Sequence, residues 1–263
     1  EKCFFIGNEQ DVVFNIEKIT NNLIYNMALM RNEIYKLESK LTEKSYTISD
    51  KILKEIKEEA YDKWNEFPQI RRQSNFYCCL SLKSKLNLMG LDYCKLDENI
   101  GKKALTENEY LEIYAGTDIP ISENNIKEYN GKKIIKYTID FPQSRRGNMA
   151  LQEHLRWNSY YITEGFILAS KEQIETERIS NNFTDGKNEE VRRHGCLTTF
   201  EGLKEYRKIL ALREFQNKQI DEQELKKIEE QKDVIKYDYQ LLDDAYWLLT
   251  SNGYKIIRLI PYK

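Results

Sequence analysis

The residue types best suited to chemistry fall close together within residues 149–161. At about 3.6 residues per helical turn, His154, Trp157 and Tyr161 share one sector of a helix, and Glu153 lies one turn before the tryptophan. A carboxylate, an imidazole and two amphipathic rings along one border are the kinds of group that hold a small polar ligand. Spacing alone favours a plainer alternative, in which these side chains are partly buried and hydrogen-bonded within the fold.

Helical spacing also predicts which way the other residues of this segment face. Large apolar residues recur at helical spacing and predict one stripe that faces the core, formed by Leu151, Leu155, Ile162 and Phe166. Arg156 is predicted to point to the far side of the helix. The helix would then present a hydrophobic seam with polar groups along its border.

A second candidate group precedes this helix in the chain. Arg71 and Arg72 come just before Ser74 and Asn75, near the expected start of a helix after Pro68. Guanidinium donors and backbone N–H groups converge at a helix start, and together they suit an anion. The commoner alternative is a solvated basic turn with an ordinary Ser or Asn cap.

A third group follows the helix. Arg193 and His194 lie ahead of Thr198 and Glu201, whose spacing predicts a capping box at a helix start. Arginines supply anion donors and rings supply stacking surfaces, so the three groups together predict a pocket for a nucleotide-like molecule. The predicted ligand-binding residues are Arg71, Arg72, Ser74, Asn75, Glu153, His154, Trp157, Tyr161, Arg193 and His194.

Catalysis has no comparable support. The sequence contains neither a phosphate-cradling glycine loop nor a GxSxG nucleophile setting. Glu153 and His154 are acid–base candidates, but adjacent helical residues point about 100° apart, which suits one shared site poorly. A zinc site from His194 and Cys196, completed by His154 or Cys94, lacks standard ligand spacing. We therefore expect no catalytic residue, no metal and no cofactor, and a hydrolase or lyase using Glu153 and His154 remains the less favoured alternative.

The composition narrows the class of protein. The chain has 263 residues, of which 40% are hydrophobic and 12% aromatic, enough for one sizeable core or two small ones. A formal net charge of −2 argues against direct nucleic-acid binding, which needs a basic footprint. There is no signal peptide and no apolar run of about twenty residues. The 5 cysteines follow no CxxC spacing, so we expect a cytoplasmic protein or the soluble part of a membrane-associated one.

Helices are the main elements that must position these groups. Apolar residues recur at helical spacing over residues 12–41, and Thr47 with Asp50 predicts the start of a second helix. After Pro68 a third helix is predicted to end at Gly90. Its predicted apolar face consists of Cys79, Leu82, Leu86 and Met89.

Later helices are predicted in the same way. Thr106 with Glu109 has capping-box spacing before a short helix that stops at Gly116. The charged stretch 204–232 predicts two solvated helices, broken near residues 217–221. The last helix ends at residues 252–253, and its apolar residues are Leu241, Leu242, Ala245, Leu248 and Leu249.

Strand patterns are short and few. Residues 3–6, residues 133–139 after the turn dipeptide Asn130-Gly131, and residues 254–260 are the predicted strands. Residues 170–193 are polar and predict an exposed loop. The sequence therefore predicts an α+β fold that is predominantly α-helical, with a small β-hairpin and short strands.

Several of these residues form a recognisable pattern. Its parts are Glu153-His154-x-Arg156-Trp157, then Gly165-Phe166, then His194-x-Cys196-Leu197, and a closing helix from Tyr237-Asp238 to Gly253-Tyr254 with Arg258 after it. This pattern resembles the bacterial RyR-type domain, the prokaryotic relative of the small repeats of ryanodine receptors. The resemblance covers roughly residues 50–260, and the Glu-His-x-Arg-Trp core is its most specific part. Phe166 departs from the tryptophan that is usual there.

The resemblance implies a regulatory domain without enzymatic activity. Bacterial RyR-type domains look like C-terminal partners of NAD-binding Rossmann modules of the potassium-transport type. They are also similar to modules of nucleotide-signal and anti-phage defence systems, where ligand sensing has been proposed. We therefore expect residues 50–263 to form an RyR-like helical domain. Residues 1–49 are expected to form a strand and helix linker that ends a preceding module, and the start at Glu1 agrees with this.

The expected function is ligand sensing. A small anionic, nucleotide-derived signal molecule would bind and control an attached or partner effector or channel module, in ion transport or anti-phage defence. In this hypothesis Trp157 and Tyr161 stack on a ring and Glu153 accepts from exocyclic N–H groups. The remaining roles are phosphate binding by Arg71, Arg72 or Arg193 and hydrogen bonding by His154 and His194. The alternative is a protein-interaction or homo-oligomerisation module, with the charged helices of residues 204–232 as its contact surface.

Overall fold

The computed structural model describes residues 23–41, 50–115, 126–129, 132–135, 144–176, 187–215, 221, 223, 225 and 234–259. The helices are α1 (Leu23–Leu41), α2 (Asp50–Glu66), α3 (Gln69–Leu88), α4 (Glu107–Ala115), α5 (Arg145–Thr163), α6 (Lys171–Thr176), α7 (Phe200–Phe215), α8 (Lys236–Asp243) and α9 (Ala245–Ser251). The strands are β1 (Leu91–Lys95), β2 (Ile126–Tyr129), β3 (Lys132–Ile135), β4 (Ile167–Leu168), β5 (Lys187–Asn188), β6 (Arg193–His194) and β7 (Tyr254–Arg258). Helices dominate and the strands form small sheets, so the predicted fold class is confirmed.

The chain divides into two compact units. The first unit comprises Glu1–Lys136 and Leu241–Lys263, and the second comprises Tyr137–Gln240. Helix α8 therefore begins in the second unit, and its last residues belong to the first. The expected boundary after residue 49 does not coincide with this division and stays a prediction about domain organisation.

The first unit is built on packed helices. Helix α1 packs against α2, α3 and α9, and α3 packs against β1. The predicted apolar face of α3 is confirmed, since Cys79, Leu82, Leu86 and Met89 are all buried. Gly90 follows the helix at φ 73°, a left-handed conformation that glycine adopts without strain.

A two-stranded antiparallel sheet belongs to the same unit. Strand β1 pairs with β7, with Tyr93 opposite Ile256, so the final strand is confirmed while β1 was missing from the prediction. The sequence pattern does not predict β1, because only the first residue of this strand is fully buried and the remaining residues are half-buried or exposed. The backbone N–H of Leu105 donates to Ile256 O at 2.8 Å and ties the segment before α4 to this sheet.

The capping box before α4 is confirmed. The backbone N–H of Thr106 donates to Glu109 Oε2 at 2.8 Å, and the N–H of Glu109 donates back to Thr106 Oγ1 at 3.3 Å. Two backbone donors that the helix itself leaves unpaired are thereby satisfied. Strands β2 and β3 also pair antiparallel around a two-residue connection, as the hairpin prediction requires.

The core of the second unit gathers residues from α5, α6, α7 and α8. Its buried members are Ala150, Ala169, Ile174, Cys196, Phe200, Leu203, Tyr206, Leu210, Ile235 and Tyr239. The small sheet of this unit has the order β4-β6-β5, with β4 parallel and β5 antiparallel to β6. Because both outer strands pair with β6, residues from distant parts of the chain meet beside α5.

Two predictions about helix starts are wrong. Helix α3 begins directly after Pro68, so Ser74 and Asn75 lie inside the helix and cap nothing. Proline has a fixed φ that suits a helix start, which places the boundary earlier than the polar residues suggest. At α7 the capping residue is Thr199, whose Oγ1 accepts from Gly202 N at 3.2 Å, and not Thr198.

The prediction of an exposed loop over residues 170–193 is only partly right. The short helix α6 lies within it and contacts α7, because Ile174 is buried in the core of the second unit. One apolar residue in a polar run was too weak a pattern to predict this helix. The strand at residues 3–6, the first part of the first helix, the turn Asn130-Gly131 and the end of the charged stretch lie outside the described residues.

The helices of the described ranges show no membrane-spanning candidate. None of them combines sufficient length with the sustained apolar character that crossing a bilayer requires.

Candidate functional site

Helix α5 turns a different face inward than the apolar spacing predicts. Leu155 and Ile162 of the predicted stripe are 55% and 60% exposed, and Phe166 lies beyond the end of the helix. The buried residues of α5 are Arg146, Gly147, Met149, Ala150, Glu153, His154 and Tyr161. The stripe prediction is only partly right, since Phe166 is buried and Leu151 packs against the core of the second unit. It fails at Leu155 and Ile162 because polar residues on the inward face bond within the fold, so polarity does not mark the outer face.

Local sequence fixes where α5 begins. The Oγ of Ser144 accepts from the backbone N–H of Gly147 at 2.9 Å, which is an N-cap. At the other end Gly165 stands at φ 82°, and Phe166 N donates to Tyr161 O at 2.9 Å. These contacts set the two ends of the helix that carries His154, Trp157 and Tyr161.

Glu153 and Arg156 form a two-pronged ion pair along α5. Arg156 Nε donates to Glu153 Oε2 at 2.9 Å, and Arg156 Nη2 donates to Oε1 at 2.7 Å. The glutamate is only 4% exposed, so the guanidinium fork compensates its buried charge. Arg156 does not point to the far side as predicted, because residues three apart are neighbours on a helix. A ligand N–H group would have to compete with this pair for Glu153.

Both ring nitrogens of His154 are engaged inside the second unit. Nε2 lies 2.6 Å from the carbonyl oxygen of Thr198, and Nδ1 lies 3.1 Å from Asp238 Oδ2. A carbonyl only accepts, so Nε2 must carry a proton, and the carboxylate favours a second proton on Nδ1. Burial lowers the pKa of His154, but the hydrogen bond and charge of Asp238, with smaller contributions from Thr198 and Glu153, raise it overall above the ordinary histidine value.

His154 joins three segments of the second unit. It connects α5, the loop before α7 and the start of α8 through two hydrogen bonds. Its ring also lies 5.1 Å from the Phe200 ring and stacks at 6.3 Å on Trp157. A general base needs an imidazole nitrogen free to take a proton, and this geometry gives His154 a structural role instead.

Trp157, Tyr161 and His194 come together in one ring cluster, which we call the aromatic cluster and which also includes Phe166. The Trp157 ring centroid lies 4.6 Å from that of Tyr161 and 4.9 Å from that of His194, the latter edge to face. Tyr161 contacts Phe166 at 5.1 Å. Trp157 and His194 are half-buried whereas Tyr161 and Phe166 are buried, so Trp157 and His194 are the rings with surface accessible to a ligand.

The turn after β6 orients His194. The backbone N–H of Cys196 donates to His194 Nδ1 at 3.1 Å, so Nδ1 accepts and the proton of the neutral ring resides on Nε2. Gly195 has no room for a side chain, because a Cβ there would lie 2.4 Å from Tyr206 Cε2. The close packing of this turn holds the imidazole against Trp157.

A lysine that sequence reasoning missed completes the cluster. Lys187 Nζ lies 4.9 Å from the ring centroid of Tyr161 and 5.9 Å from that of Phe166, and it donates to Tyr161 Oη at 3.3 Å. Strand register explains its position, since Lys187 stands opposite His194 in the antiparallel β5–β6 pair. A strand of two residues is too short to show alternating apolar and polar side chains. The turn dipeptide Asp185-Gly186 before Lys187 is therefore the sequence feature that could have indicated β5.

Arg193 does not share the face of His194. Adjacent residues of a strand project to opposite sides of the sheet, so Arg193 points away from the side on which His194 meets Trp157. Its side chain is half-buried. Among the described residues, Lys187 is a cation that contacts rings of the cluster, and the phosphate-binding role predicted for Arg193 is weakened by its placement.

The other predicted residues belong to the first unit. Arg71, Arg72, Ser74 and Asn75 lie in the first two turns of α3. The Arg71 guanidinium carbon lies 5.9 Å from the ring centroid of Phe67, and Ser74 is buried. The aromatic cluster is built from second-unit residues and contains none of these four.

Other features of the described residues do not mark a competing site. A surface hollow of about 510 Å³ in the first unit is lined by Lys95, Leu96, Asp97, Asn252, Gly253 and Tyr254. It contains none of the predicted residues and is wide open to solvent. Among the residues that the structure describes, no three His, Cys, Asp or Glu side chains are grouped so as to hold a metal ion.

Comparisons with known proteins assign no function to this chain. No family model, curated protein or solved structure matches this chain.

Proposed function

We propose that residues 50–263 form a non-enzymatic ligand-sensing domain of the RyR type, with its ligand site in the second unit. The domain binds a small planar anion derived from a nucleotide and regulates an attached or partner module. The observation that carries this proposal is the meeting of Trp157 and His194, at 4.9 Å, with the Lys187 ammonium against the neighbouring Tyr161 ring. The sequence pattern that resembles RyR-type domains supports it independently.

The chemistry of the cluster suits such a ligand. A half-buried tryptophan offers ring surface on which a base stacks, and stacking of this kind is worth about 1–3 kcal/mol per base. The Nε2–H of His194 is a donor for a carbonyl or ring nitrogen of the ligand. The Lys187 ammonium supplies the positive charge that a phosphate requires.

The enzyme alternative loses support from the same geometry. Glu153 is held by both donors of Arg156, and His154 uses both ring nitrogens within the fold. Proton transfer to a substrate would require breaking these contacts, and a general acid or base works through a group within reach of the substrate. We accordingly propose binding without turnover.

A protein-interaction module is the second candidate, and the outer face of α5 favours it. Leu155 and Ile162 are large, exposed and two helical turns apart, so they lie on the same side of the helix. Exposed apolar side chains in one row are a common feature of protein contacts. In this candidate the contact surface is the outer face of α5, whereas the sequence predicts it in the charged stretch 204–232.

Thermal shift with a panel of nucleotides and cyclic oligonucleotides tests the two candidates together. A ligand present at about 100 times its Kd stabilises the folded state by about 2.7 kcal/mol and raises the melting temperature. Trp157→Ala should abolish that shift, while Leu155→Ser, an exposed position on the same helix, should retain it. A wild-type chain that ignores the whole panel, and whose mass in solution grows with concentration unless Leu155 is replaced, would establish the interaction candidate instead.

A further inference from the structure

We infer that Lys187 is the anion-recognising residue of the aromatic cluster and that Glu189 is a built-in competitor, which the phosphate group of a ligand displaces. This inference rests on the proposed function and names the ligand group that the site would recognise. It assigns the phosphate to a residue other than the arginines that the sequence suggests.

The position of Lys187 is the first support. Its ammonium lies 4.9 Å from the Tyr161 ring centroid, and Tyr161 lies 4.6 Å from Trp157, the ring proposed to stack on the ligand. Strand pairing places Lys187 directly opposite His194, on the same face of the sheet. A ligand that stacks on Trp157 and reaches His194 would therefore have its charged end near this ammonium.

Burial of the charge is the second support. The Lys187 side chain is 10% exposed, and a buried ammonium requires a counter-charge. Glu189 supplies one at 3.1 Å, and its side chain is 30% exposed. The carboxylate is therefore the more accessible partner of the pair, and it follows β5 in a turn, so an incoming anion can take its place from the solvent side.

The chemistry of the exchange favours phosphate. A phosphate group carries about −1.5 to −2 charges near pH 7 and three acceptor oxygens, against one charge and two oxygens for the glutamate. The ammonium has three donors in flexible geometry and binds a phosphate as a point charge. An uncharged nucleoside offers nothing at this position, so the cluster should distinguish a nucleotide from its nucleoside.

The experiment uses two substitutions with opposite expected effects. We would measure binding of AMP and of adenosine to the full chain by isothermal titration calorimetry, with the part of the tryptophan fluorescence that Trp157→Phe removes as a second readout. Lys187→Gln should weaken AMP binding about tenfold or more, since charged hydrogen bonds contribute on this scale, and should leave adenosine binding unchanged. Glu189→Gln should tighten AMP binding several-fold, because the competitor carboxylate is gone.

A matched ion pair provides the control. Lys208 and Glu205 also lie 3.1 Å apart in the second unit, but on the exposed surface of α7. Lys208→Gln and Glu205→Gln change the net charge by the same amounts and should leave AMP binding unchanged. If they reproduce the effects at Lys187 and Glu189, long-range charge alone explains the data and the inference is overturned.

The remaining outcomes separate this inference from the proposed function. Equal binding of AMP and adenosine by the wild-type chain, or an unaltered AMP affinity in Lys187→Gln, overturns the role of Lys187 while ligand sensing stands. An unaltered AMP affinity in Glu189→Gln overturns the competitor role of Glu189. Loss of AMP binding in Arg193→Gln but not in Lys187→Gln gives the phosphate to the arginine. If no nucleotide binds at all, the proposed function itself fails and the role of Lys187 fails with it.

Discussion

Aromatic clusters occur in both units, and their composition differs. In the first unit Trp64 packs against Tyr25 and Phe76, with ring centroids 6.1 and 5.9 Å away. In the second unit the rings of Trp157, Tyr161 and Phe166 are mixed with both histidines of the chain and with the Lys187 ammonium. One cluster consists of uncharged aromatic side chains, and the other includes two imidazoles and an ammonium.

Tyrosine hydroxyls show the same contrast. Tyr110, wholly buried in the first unit, donates to Leu242 O at 2.6 Å, and Tyr114 donates to Asp243 Oδ1 at 2.8 Å. In the second unit the Tyr161 hydroxyl accepts from a lysine that also lies against its ring. The two first-unit hydroxyls donate, one to a backbone carbonyl and one to a carboxylate, whereas the Tyr161 hydroxyl accepts from an ammonium that is also paired with Glu189 and can change partners. This difference is the reason to place recognition in the second unit.

The largest expected effect tests the structural character of the first cluster. Trp64 is 2% exposed and packed between two rings, so Trp64→Ala should cost about 3–5 kcal/mol of unfolding free energy. Urea unfolding followed by far-UV circular dichroism would measure it. Trp157→Ala, at a half-buried ring, should cost clearly less. Equal costs at the two tryptophans would remove the distinction between the clusters.

A second prediction concerns the buried imidazole. His154→Gln removes the cation that faces Asp238, whose side chain is 12% exposed, and should cost about 3 kcal/mol near neutral pH. The loss should depend on pH. Because the folded pKa of His154 is raised, its contribution is fully present below the unfolded pKa of about 6.5 and is lost as pH rises through the folded pKa.

Unfolding free energies of the wild-type chain between about pH 6 and about pH 9 would measure this dependence. Asp238→Asn is the matched variant, since it keeps the shape and removes the charge that raises the pKa of His154. Both variants should flatten the alkaline decline in stability. A decline that persists unchanged in His154→Gln would show that another group causes it and that the imidazole is uncharged in the fold.

The turn that holds His194 gives a smaller effect. Gly195→Ala would place a Cβ 2.4 Å from Tyr206 Cε2 and 3.1 Å from Ile174 Cδ1, and overpacking of this kind should cost about 2 kcal/mol. In a Tyr206→Ala background the same substitution should cost much less, because the clashing ring is absent. A double-mutant cycle from urea unfolding measures the coupling, and additive costs would place the constraint elsewhere.

How well the sequence predicts each helix, strand or buried face depends on how many residues contribute to its pattern. Long apolar repeats and capping residues predict α3 and α4, because many residues contribute to each pattern. The single last helix that the same reasoning predicts is two helices in the structure, α8 and α9, which are separated at Asp244. The buried face of α5 was mispredicted because Glu153 and Arg156 neutralise each other inside the fold, and a one-dimensional pattern cannot show that pairing. Lys187 was missed since its importance comes from strand register, which only contacts between distant segments determine.

The smallest expected effect lies at the capping box of the first unit, and it is a loss of stability at acidic pH. Glu109 accepts from the Thr106 backbone N–H and from Lys103 Nζ, and its pKa falls from 4.5 to about 2. A lowered folded pKa means that stability is present above the unfolded value and is lost as pH falls towards about 2. Glu109→Gln should remove a small acid-dependent part of the stability, whereas Glu112→Gln, exposed on the same helix, should not. Carboxyl titration by NMR would measure the Glu109 pKa directly. A value near 4.5 there would mean that α4 is not held by this cap.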